Sequence, residues 1–92
     1  MVDLLPQAKL HFDKGELGPS LEILNAVIQY NTSDPDVFLL RGLIHYRMQK
    51  WGDAINDFGA VLEIDSDHAE AKMRMEMAKN ILGYFTPDMF NP

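Results

Sequence analysis

Two histidines, His11 and His45, stand 34 residues apart. A metal site would need both imidazoles to converge with a third ligand. A repeated structural position accounts for the recurrence without one, so both are expected to be partly buried structural residues and no metal is expected. Asp53 and Asp57 lie one helical turn apart and could pass for an acid–base carboxylate pair. A solvated helix face is the expected setting for both. Asp65-Ser66-Asp67 begins like a calcium loop, but the glycine and the closing glutamate that such a loop needs are missing, so it reads as an acidic turn and helix cap. The chain has no cysteine, which removes thiol chemistry, disulfides and iron–sulfur or zinc–thiolate sites. Nucleophile elbows, phosphate-binding glycine loops and zinc-protease helices are absent as well. With no motif that tunes an acid, base or nucleophile, neither enzymatic activity nor a cofactor is expected.

The elements that position these residues follow from length and periodicity. Ninety-two residues, 47% apolar and 24% charged, suffice for one domain with little spare core. The net charge of −6 disfavours nucleic acid and anionic membranes as partners. Residues 1–10 lack the basic start and long apolar run of a secretory leader, and no run approaches the ~20 apolar residues that span a bilayer. The expected location is the cytoplasm.

Laid on itself at the same offset, the chain matches apolar with apolar: Leu17 with Trp51, Leu21 with Ile55, Leu24 with Phe58, Val27 with Val61 and Ile28 with Leu62. Ala8 falls on Gly42, both small. Each unit reads as two helices. Asp34-Pro35-Asp36 carries a cap, a first-turn proline and an acid at the positive helix end. The following helix reaches Met48, and its partner starts near Trp51, with Ala54, Ile55, Phe58, Val61 and Leu62 on one stripe. Residues 15–20 break the first unit between helices near 4–14 and 19–30. Asp67-His68-Ala69-Glu70 reads as an Asp-type capping box for a fifth helix that stops near Gly83. Trp51 is expected in the elbow between paired helices.

This 34-residue helix–turn–helix pattern resembles the tetratricopeptide repeat. The residues that carry the resemblance are Gly42 and Ala54 as the small pair where helices approach, followed by the large Phe58. Ser20 and Leu24 take those places in a degenerate first unit, while His45, Val61 and Ser66 depart from the usual Tyr, Ala and Pro. The end of the chain, from Asn80 to Phe90, is similar to the end of certain small bacterial proteins with these repeats. The resemblance implies an all-α fold of about five antiparallel helices in a right-handed superhelix. It divides the chain into a repeat at 1–34, a second at 35–68, a capping helix at 69–83 and an aromatic tail at 84–92. Glu76 and Lys79, charged where a packed partner would need small and aromatic residues, mark the last helix as a cap.

The resemblance also implies a protein-interaction module that binds a peptide or partner helix in a concave groove. By repeat phase that groove is lined by Leu5, Lys9 and Phe12, by Leu39, Leu43, Tyr46 and Arg47, and by Met73, Arg74 and Met77. The terminal-carboxylate clamp of some family members is not expected, because its positions hold Leu5, Lys9, Leu40 and Glu70, and only Arg74 has suitable chemistry. The alternative is a structural domain whose groove is filled by its own tail or by a homodimer partner. The basic residues among the groove's apolar ones leave an acidic peptide compatible with the net charge.

Overall fold

The computed structural model describes residues 3–85, with residues 84 and 85 described by backbone only. Five helices follow one another: α1 (Leu5–Asp13), α2 (Leu17–Gln29), α3 (Pro35–Arg47), α4 (Trp51–Ile64) and α5 (Ala69–Phe85). No strand occurs among the described residues. Consecutive helices pack on each other, α1 also touches α3, and the whole is an elongated slab of 46 × 27 × 21 Å. No helix among the described residues is long and apolar enough to cross a membrane.

Local chemistry sets the helix starts. The Asp34 carboxylate accepts from the Asp36 N–H at 2.9 Å, the cap expected of Asp34-Pro35-Asp36. Pro6 sits in the first turn of α1, where a missing N–H leaves nothing unpaired. Asp3 Oδ1 there accepts from the Leu5 N–H at 3.1 Å.

The two elbows are built alike. The Glu16 N–H reaches the His11 carbonyl at 2.8 Å and the Gly15 N–H reaches that of Phe12 at 2.9 Å. Lys50 to His45 and Gln49 to Tyr46 repeat these bonds at 2.8 and 3.0 Å. Both elbows are Schellman turns with a left-handed residue, Gly15 at φ 78° and Gln49 at φ 62°.

Three expectations are corrected. Helix α2 starts at Leu17, because Gly18 and Pro19 both fit inside its first turn, where N–H groups have no intrahelical partner. Helix α5 does not stop at Gly83 but runs on to Phe85. A glycine ends a helix by turning left-handed, and among the described glycines only Gly15 does so. Asp67 does not cap α5. The His68 ring does, with Nδ1 accepting from the Ala71 N–H at 3.1 Å, while Asp65 Oδ1 takes the Asp67 N–H at 3.2 Å.

Two apolar clusters meet at α3. Val37, Leu40 and Ile44 join Leu5, Ala8 and Leu24 in the first, while Phe38, Leu39, Leu43 and Tyr46 pack on Ala54, Phe58, Val61 and Ala71 in the second. Inside the first helix pair, buried Ser20 donates its hydroxyl to the Ala8 carbonyl at 2.8 Å. Inside the second, Gly42 lies directly under the Phe58 ring, and a Cβ there would stand 2.6 Å from Phe58 Cε1.

Candidate functional site

The first helices of successive pairs, α1 and α3, flank a shallow recess of about 140 Å³, lined by Lys9, Asp36, Leu39, Leu40 and Leu43. Buried Leu40 forms its floor, half-buried Leu39 and Leu43 its wall, and exposed Lys9 and Asp36 its rim. One turn along α1, Phe12 carries the Arg47 guanidinium of α3 at 4.1 Å from its ring centre. Tyr46, which stands 34 residues after Phe12, faces the Arg74 guanidinium of α5 at 6.0 Å. Arginine over an aromatic face is a favourable cation–π arrangement, so these two contacts tie α3 to α1 and α5 to α3. The other neighbour of Tyr46 is Trp51, edge-on at 5.0 Å and 82°, which places the tryptophan in the elbow.

The ten residues expected to line the groove therefore divide. Lys9, Leu39 and Leu43 share the recess, and Phe12 with Arg47 and Tyr46 with Arg74 extend that face. Met73 and Met77 on α5 are exposed at 52% and 40%. Leu5, 7% exposed, is a core residue of the first cluster together with Leu40. The groove-filling tail expected from residues 84–92 lies outside the described side chains.

The expectation of a solvated Asp57 is corrected. Asp57 is 3% exposed and takes both Arg41 Nε (2.8 Å, to Oδ2) and an Arg41 terminal nitrogen (2.7 Å, to Oδ1). The remaining Arg41 terminal nitrogen donates to Asn25 Oδ1 on α2 at 3.0 Å, so one guanidinium links α2, α3 and α4. Hydrogen bonding to Asp57 holds Arg41 above its ordinary range, burial opposes this, and the charges of Asp57 and Asp53 add to it. The arginine therefore keeps its charge until strongly alkaline pH. Half-buried His45 stands 3.6 Å from Asp57 Oδ2 through Nε2, and its buried Nδ1 has no partner. His11 makes a different contact, Nδ1 to Glu16 Oε1 at 3.0 Å. The repeated histidines thus belong to separate polar contacts. Among the described residues no group of three or more His, Cys, Asp or Glu side chains could hold a metal ion. The signal for the buried pair was present in the sequence, since Arg41 and Asp57 immediately precede Gly42 and Phe58, the two residues in closest approach.

Paired antiparallel helices stacked at a 34-residue spacing, closing on small residues and joined by matching elbows, define a helical-repeat array. Over 71 residues, 77% of its length, the chain is 34% identical to tetratricopeptide repeat protein 16 of Macaca fascicularis and 32% identical to that of Homo sapiens. The Mus musculus protein of the same name is 25% identical over the same length. The chain is tetratricopeptide-repeat-like. It spans about 8% of the length of the first two relatives, and all three are mammalian, whereas the resemblance of its last residues pointed to small bacterial proteins. No family model matches the chain, and no solved structure matches it significantly.

Proposed function

We propose that this chain is a non-catalytic protein-interaction domain in which the α1/α3/α5 face, concave in the repeats it resembles, buries an apolar segment of a partner protein. The observation that carries this reading is the recess walled by Leu39 and Leu43, and the exposure of Met73 and Met77, which repeat phase assigns to the same face, supports it. Exposed methionines adapt to varied apolar partners, and apolar surface gathered on one face marks interaction sites more often than scattered residues do. The resemblance to tetratricopeptide repeat proteins supports the same class of function.

Leu43→Glu and the exposed pair Met73→Glu/Met77→Glu test it by crosslinking and pull-down against the unaltered chain, with helicity checked by circular dichroism. Loss of partners from folded variants is expected. An unchanged partner list overturns the proposal.

A further inference from the structure

The charges of this chain are sorted by helix. Helices α2 and α4 contain no lysine or arginine, only the acids Glu22, Asp53, Asp57 and Glu63. Helices α1, α3 and α5 carry every helical cation: Lys9, Arg41, Arg47, Lys72, Arg74 and Lys79, against four carboxylates. A chain of net charge −6 thus bears a net of +2 on its odd-numbered helices and −4 on its even-numbered ones. Among the described residues only Arg41 and Arg74 of those six cations form ion pairs. Among the described residues Lys9, which shares the rim of the apolar recess with Asp36, and Arg47, stacked on Phe12, have none, and neither have Lys72 and Lys79. Lys9 and Phe12 are three residues apart on α1, about 4.5 Å along the axis, so Lys9 on the rim of the hollow and the guanidinium stacked on Phe12 belong to successive turns of one helix face. That hollow is on the order of the space a benzene-sized group occupies.

We infer that the occupant of this face is an acidic–aliphatic segment of a partner, with one Leu-, Ile- or Met-like side chain in the recess and adjacent side-chain carboxylates on Lys9 and Arg47. This rests on the reading of the face given above and adds the chemistry of the partner. Unpaired cations on an otherwise acidic molecule steer a carboxylate-bearing chain to this face and repel a basic one. The stacked guanidinium keeps its edge N–H groups free to donate to a carboxylate.

Selection from a random peptide display library against the full chain tests this, run in parallel on the Lys9→Glu/Arg47→Glu variant. Both side chains are exposed, but Arg47→Glu also removes the stacking on Phe12, so the helicity and urea midpoint of the variant are measured alongside. The chain is expected to select peptides with Asp or Glu beside an aliphatic residue, and the variant to shift toward Lys and Arg. A synthesised acidic hit should bind the variant about tenfold more weakly, as two reversed surface pairs imply, and should weaken with added salt. Hits without an acidic bias, or affinity unmoved by the reversal, overturn the inference while leaving the docking face intact, provided Leu43→Glu still abolishes binding. If no peptide is selected, or Leu43→Glu binds as well as wild type, the reading of the face itself fails. Sedimentation closes the remaining case: self-association lost in the charge-reversed variant makes the occupant a second copy and overturns the peptide assignment.

Discussion

The two helix pairs reach the same geometry with different materials. In the first, Ala8 meets Leu24, and buried Ser20 spends its hydroxyl on the Ala8 carbonyl. In the second, Gly42 admits the Phe58 ring, Ala54 replaces the serine, and the Arg41–Asp57 pair stands where the first has exposed Gln7 and half-buried Ile23. A repeat position therefore specifies a distance and a polarity balance rather than a residue. The first pair meets it with a neutral hydrogen bond. The second needs the absence of a Cβ and a charge pair, and removing either partner of such a pair leaves the other without compensation.

The largest expected effect comes from breaking that charge pair. Asp57→Ala should lower stability by about 3 kcal/mol, the lower end for a buried pair, since Arg41 keeps Asn25 and some solvent. Arg41→Gln/Asp57→Ile, which copies the first pair, should recover most of that loss in a urea titration. Next comes Gly42→Ala, at about 2 kcal/mol from overpacking against Phe58. Combined with Phe58→Leu it should cost less than the sum of the singles by about 1 kcal/mol, and simple additivity would refute the equivalence with Ala8 and Leu24. Ser20→Ala should cost about 1 kcal/mol, an ordinary net hydrogen-bond contribution, measured from the denaturant midpoint. Smallest is Gln49→Gly, which should stabilise by roughly 0.5–1 kcal/mol by relieving a left-handed side chain, net of glycine's entropy. Gly15→Gln should do the reverse in the first elbow.

What the sequence made legible was whatever depends on neighbours along the chain. The 34-residue offset, the cap at Asp34 and the apolar stripe from Ala54 to Leu62 are local patterns, and the structure contains them. Asp57 was misread because its spacing to Asp53 is also local and suggests an exposed acidic stripe. Its burial is decided by Arg41, sixteen residues away, and that arginine is steadied in turn by Asn25 on a third helix. Gly83 was misread for a related reason, since glycine permits a left-handed stop without enforcing one, at about 1 kcal/mol when it stays helical. Of the residues that repeat phase assigns to a groove, Lys9, Leu39 and Leu43 share a recess. Repeat phase could not tell that Leu5 turns inward, because inner and outer positions of α1 differ by a rotation that only packing fixes. The sorting of charge between odd and even helices needed only helix boundaries, and it emerges once residues are grouped by helix rather than by repeat.

Because α3 divides its apolar side chains between both clusters, neither helix pair can melt without stripping one face of α3. Its central amides, around Leu40 to Ile44, should exchange with solvent only through opening of the whole array and set the slowest protection in the molecule, with α1 and α5 opening earlier from either end. A cut between the pairs, at the loop before Asp34, would therefore divide the first cluster between the fragments, leaving α1–α2 without the α3 side of its core and α3 with one bare apolar face. The cooperative block spans the seam between repeats, out of phase with the sequence period that defines them.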